Sequence, residues 1–207
     1  MSVVDVVKLK AIVEDRGRTG RSITAIAGPP GAGKSTLADE LAEALNIDDP
    51  GSAAVFPMDG YHYDDLVLVP RGLRPRKGAP NTFDVVGFAA MLTRLRANSE
   101  PEIAVPVFDR AIEIARAGAR MIPQTVRHLI VEGNYILLDS GDWRLLHRYY
   151  DTTVLIDVPE EELRRRLSER WKDLPPEAFA FKMEENDLPN GRLVRTGSIT
   201  PEFIVKQ

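Results

Sequence analysis

The chain contains no cysteine. Disulfide scaffolds, Cys-ligated zinc and iron–sulfur clusters are thereby excluded. It also lacks any apolar run approaching the roughly 18–20 residues that cross a bilayer, so no membrane-spanning helix is expected. Excess positive charge is absent too: 27 Lys+Arg stand against 31 Asp+Glu, a net charge of −4. Such a chain has no overall electrostatic drive toward nucleic acid or anionic membrane, and neither is expected as a partner. The opening MSVVDVVKLKAIVED sets Asp5 inside its apolar residues and offers no small-residue cleavage site. A secretory signal is therefore not expected, and the cytoplasm is the expected location. The remainder is ordinary, with 207 residues, 43% hydrophobic and 28% charged. That suffices for one well-buried α/β domain over 1–207.

Apolar β-branched runs predict strands at 22–27, 53–58, 128–131 and 153–158, with shorter candidates at 103–107 and 119–122. Between them, helical spacing predicts helices at 3–13, 37–45, 83–96, 143–149 and from Pro159 to about Trp171. A further helix is predicted after Pro175-Pro176, ending near Glu185. Segment 61–82 carries Pro70, Pro75 and Pro80 and reads as a surface excursion; loops of that length are uncommon unless functional. Alternating strands and helices, with strands that are apolar throughout, predict a parallel sheet covered on both faces.

The first chemical signal is GPPGAGKST at 28–36, which fits G-x-x-x-x-G-K-[ST]. A strand precedes it and a helix follows, as the motif requires. Gly28, Gly31 and Gly33 let successive N–H groups curl round a phosphate, and the helix N-terminus adds its positive end. Lys34 can reach the β- and γ-phosphates, Ser35 can ligate Mg²⁺, and Thr36 can donate to the α-phosphate. With Ala32, these form the nucleotide-binding set. The bland alternative is a glycine-rich turn carrying a solvated lysine.

Asp59, in FPMDGYH, and Glu132, in HLIVEGNY, each follow an apolar strand closely. Open α/β sheets bind ligands beyond the carboxyl ends of their strands. Asp59 there can accept a proton from an attacking hydroxyl, and Glu132 can hold Mg²⁺ with Ser35. Alone, the first could be an Asp-Gly turn and the second a partner for a surface lysine. Three motifs closing three strands at one sheet edge favour the chemical reading.

GPPGAGKST, MDGYH, RKGAPNTFD, VPVFDR, VEGNYILLD and ENDLPNGRLV follow one another in this order. The set resembles the P-loop kinases of the uridine kinase, phosphoribulokinase and pantothenate kinase superfamily. Within it, the chain is most similar to small bacterial proteins described as fructose transport system kinases. The resemblance implies a three-layer α/β/α P-loop fold with a central, mostly parallel sheet. It also implies a lid near 160–190 and an acceptor-site excursion near 60–82. It implies ATP and Mg²⁺, with Asp59 as base beside Lys34. Tyr61, His62, Arg76 with Lys77, Asp109, Arg110, Asn134 and Tyr135 would shape the acceptor site. Arg166 and Arg170 would serve the lid, and Asn186, Asp187 and Asn190 the nucleotide base. Glu161–Arg165 and Glu162–Arg166 could equally be helix-surface pairs. The short excursion favours a small acceptor, such as a sugar, with nucleoside or pantothenate as alternatives. A reading from another class is a nucleotide-hydrolysing switch at a transporter. The N-K-x-D guanine motif of such switches is absent. Homodimerisation is left open.

Overall fold

The structure is a computed structural model describing residues Met1 to Gln207. Its centre is β2 (Ser22–Ala27), buried along its whole length. β6 (His128–Gly133) pairs with one side of β2 and β7 (Thr152–Asp157) with the other, both parallel. β3 (Ala53–Pro57) lies beyond β6, and β8 (Phe203–Lys206) and β1 (Ser2–Val3) lie beyond β7. All six strands run parallel, in the order β1-β8-β7-β2-β6-β3.

Each sheet face has its own apolar layer. α1 (Val6–Arg16) and α2 (Lys34–Asp48) bury Leu9, Val13, Leu37 and Leu41 against Ile26, Ile130 and Val154 on one face. α4 (Val85–Ala97) and a 3₁₀ segment over Gly141–Tyr149 cover the other with Phe88, Leu92, Trp143 and Leu146. This is the expected three-layer α/β/α arrangement. α3 (Asp65–Leu68) and short 3₁₀ turns order the excursion.

Several predicted boundaries move, for local reasons. The first helix begins at Val6 because the Asp5 side chain caps it, accepting from the Lys8 N–H at 2.8 Å. Ser2 and Val3 instead pair with Phe203 and Ile204, in two strands too short to show a pattern. The candidates at 103–107 and 119–122 stay outside the main sheet. They form an antiparallel hairpin, β4 (Glu102–Asp109) and β5 (Ile114–Pro123). After α5 (Glu160–Arg170) and α6 (Pro176–Ala180), the chain does not stop near Glu185. It passes through a π-helical turn over Phe181–Asp187 into α7 (Leu188–Gly197). Pro189 falls in the first turn of α7, where its missing N–H is tolerated.

Candidate active site

The sheet register sets the site. Glu132 on β6 sits opposite Ile26 of β2 on one side and Pro57 of β3 on the other. The phosphate loop leaves β2, and Asp59 lies in the 3₁₀ turn that follows β3. Gly133 allows the two acids to approach: a Cβ there would stand 2.5 Å from the Met58 Cβ. The result is a cleft of about 220 Å³ at this edge of the sheet, lined mostly by polar groups.

Gly31 and Gly33 hold left-handed backbone, with φ of 79° and 86°, and Gly33 is the N-cap of α2. Lys34, half-buried, donates to the Pro29 carbonyl at 3.0 Å. Burial pulls its ammonium down to about 8, against the opposing pull of Glu132 and Asp59. Ser35 and Thr36 line the cleft on the first turn of α2. Gly28 and Ala32 do not line it. They shape the loop, and a Cβ on Gly28 would meet those of Ala32 and Ile156 at 3.3 Å.

The Ser35 Oγ donates to Glu132 Oε1 at 3.3 Å. Glu132 is 5% exposed, and burial, reinforced by the Asp59 charge, raises it to about 7. A hydroxyl beside a carboxylate held so unfavourably suits Mg²⁺, which takes one or two protein oxygens and completes its shell from water and phosphate. Asp59 Oδ2 accepts from Arg110 Nη2 at 2.8 Å.

Beyond Asp59 stands a second wall, made from the excursion and the β4–β5 hairpin. It presents His62, Lys77, Phe83, Phe108, Arg110, Glu113 and, from the end of β6, Asn134. The His62 ring packs on Phe83 and Phe108 at 4.1 and 4.4 Å, and Nδ1 lies 2.8 Å from the Asp59 carbonyl. Burial lowers its pKa. Opposite, the segment from the end of α5 into the π-helical turn contributes Arg170, Trp171, Lys182, Asn186 and Asp187. The Asp187 carboxylate accepts from Trp171 Nε1 at 2.8 Å and from Asn186 Nδ2 at 3.2 Å.

Other expected site residues are placed elsewhere. Tyr61 packs against Phe56 and Phe88 in the core, because its ring faces inward under α4. Tyr135 is fully buried; its hydroxyl donates to the Gly78 carbonyl at 2.6 Å and anchors the excursion. Arg76 is exposed outside the cleft, whereas its neighbour Lys77 is buried and lines it. Asp109 closes the hairpin turn, accepting from the Ala111 N–H and pairing with Arg116. Arg166 is separated from Arg170: it pairs with Glu162 at 2.7 Å and points Nη1 at the Gly31 carbonyl. Asn190 donates to Asn186 Oδ1 at 3.1 Å and stays behind the lining. Glu113 and Lys182 carry no motif that marks them. Trp171 also faces the cleft.

A family described as AAA domain matches residues 25–185. The chain belongs to this P-loop family. A Schizosaccharomyces pombe protein provisionally named uridine kinase is 32% identical over 197 residues, covering 90% of this chain and 83% of that protein. A Clavibacter michiganensis pantothenate kinase is 27% identical over 173 residues, covering 82% of the chain and 54% of that enzyme. The chain thus spans about half the length of the curated pantothenate kinases it matches. A crystal structure from Silicibacter sp. TM1040, provisionally described as a fructose transport system kinase, is 39% identical, with a TM-score of 0.88. It covers 97% of this chain and 98% of that one. These relatives place the chain among the P-loop kinases.

Proposed function

We propose that the protein is an ATP-dependent kinase that phosphorylates a hydroxyl of a small, polyhydroxylated acceptor, a sugar such as fructose being the first to test. The observation that carries this reading is one cleft holding a phosphate loop, the Ser35–Glu132 pair and Asp59. ATP phosphates would lie on the loop, held by its N–H groups, Lys34 and Thr36. Mg²⁺, bound by Ser35 and Glu132, would supply charge neutralisation on the phosphates. Asp59 would take the proton of the attacking hydroxyl, and Arg170 would face the transferred group from the lid. Such catalysis is mostly positioning and charge compensation. The acceptor would lie against His62, Lys77, Arg110 and Asn134. Its ring or chain carbons would pack on Phe83 and Phe108.

A positioned acid and a second, polar wall are unnecessary for a hydrolysing switch. The deciding experiment is ADP release by the purified protein with and without acceptors: fructose, nucleosides, pantothenate and sugar phosphates. Slow acceptor-free turnover with clear stimulation by one hydroxyl compound supports the kinase. Fast turnover in water alone supports the switch. Asp59→Asn should lower kcat about 10²–10⁴-fold while ATP still binds; near wild-type turnover in that variant removes Asp59 from the role of base.

A further inference from the structure

Glu113 occupies the turn of the β4–β5 hairpin with a left-handed backbone, φ 57°. That conformation is unfavourable for any residue with a Cβ and persists where surrounding contacts enforce it. Here the contact is Lys77, 4% exposed. Its ammonium donates to the Glu113 carbonyl at 2.6 Å and to Asp65 Oδ1 at 2.7 Å, so the hairpin turn is tied to α3. The Glu113 side chain is half-buried and lines the cleft, close enough to His62 for its charge to act on that ring.

The neighbouring charges on this wall are committed. Arg110 is paired with Asp59, and Lys77 with Asp65. The Glu113 carboxylate makes no hydrogen bond or ion pair within the chain, although its backbone is fixed. Carboxylate oxygens only accept, and two of them can receive hydroxyls from adjacent carbons as strong, charge-assisted bonds. The same charge repels an acidic group brought to that position.

We infer that Glu113 selects the acceptor: its carboxylate receives hydroxyl groups of an uncharged polyol and turns away compounds carrying a carboxylate or phosphate at that end. This rests on the kinase reading above. It separates neutral sugars and polyols from the pantothenate-like and sugar-phosphate acceptors that the fold alone would allow.

The test is kcat/KM for fructose and glycerol against gluconate, pantothenate and fructose 6-phosphate, in wild type, Glu113→Gln and Glu113→Asp. Wild type should favour the best neutral acceptor over the best acidic one by at least about tenfold, the worth of one charge-assisted bond. Glu113→Gln should raise KM for the neutral acceptor and lower that ratio by about tenfold or more. Glu113→Asp keeps the charge on a shorter stem. It should raise KM for the polyol yet continue to reject acids, which a merely structural role for Glu113 would not separate. Calorimetric titration of the same acceptors repeats the comparison without turnover, and melting temperatures check that each variant is folded. An acidic acceptor preferred by wild type, or a ratio unmoved in Glu113→Gln, overturns the inference and leaves the kinase reading standing. No stimulation by any of these acceptors overturns the inference, and no stimulation by nucleosides either overturns the kinase reading with it.

Discussion

Arg110 and Asp59 form an ion pair across the mouth of the cleft, Nη2 to Oδ2 at 2.8 Å, although the Arg110 side chain is 64% exposed. Solvent screens a pair of this kind, which contributes little to folding. Arg110→Ala should therefore leave the melting temperature within about two degrees of wild type. Turnover should nevertheless fall, because the guanidinium bonds Asp59 and lines the cleft where we propose the acceptor binds. Equal loss of melting temperature and activity would mean that the pair is chiefly structural.

Lys34 is charged below about 8 in the ligand-free protein, whereas an ordinary lysine holds its proton to 10.5. Nucleotide affinity should accordingly weaken as pH rises through 8, since the ammonium that meets the phosphates is lost. Lys34→Met should bind ATP poorly at every pH and lose that slope. Fluorescence titration from pH 6.5 to 9 measures both, and a variant titrating like wild type would contradict the phosphate-loop reading.

Glu132 is raised from 4.5 to about 7 by burial. The folded state thus binds its proton more readily than the unfolded chain, and stability is lost as pH rises from 4.5 to 7. Glu132→Gln removes that penalty. It should melt higher than wild type at pH 8, with the gain shrinking toward pH 5, while Mg²⁺-dependent turnover falls at least about tenfold. Thermal melts across pH, beside ADP release, test both halves. A variant that is less stable at pH 8 would show that the carboxylate is structurally required.

Tyr135 donates to the Gly78 carbonyl from a fully buried position. Tyr135→Phe leaves that carbonyl unpaired, at a cost of about 0.5–1.5 kcal/mol and a few degrees of melting temperature. Because Gly78 adjoins Lys77 in the excursion, KM for the acceptor should rise while the ATP dissociation constant holds. A changed ATP constant with unchanged acceptor KM would place the effect on the other side of the cleft.

The gathering of the phosphate loop and Glu132 at one cleft was legible in the sequence because its signals are local. Gly31, Gly33, Lys34 and Ser35 lie within one short segment, and Glu132 stands near the end of an apolar strand. Asp59 was legible for the same reason. The facing wall of the cleft, where we propose the acceptor lies, is assembled from segments distant in the chain, and adjacency in a motif misled there. Tyr61 follows Asp59 so closely that both read as site residues, yet the 3₁₀ turn sends the ring under α4. Arg76 and Lys77 are neighbours of like charge, and only the fold decides which one is buried. The strands β1 and β8, at one end of the sheet, are too short to carry a period. The helix beyond Glu185 was obscured by Pro189, whose cost depends on its place within a turn.

One ammonium, that of Lys77, joins α3 to the hairpin turn by bonding Asp65 and the Glu113 carbonyl at once. Residues around 65 and around 113 are thereby energetically coupled despite their separation in sequence. A substitution on one segment shifts the background against which the other is read. Paired substitutions on the two segments should thus depart from the sum of their single effects, because each exchange alters the partner that Lys77 offers to the other.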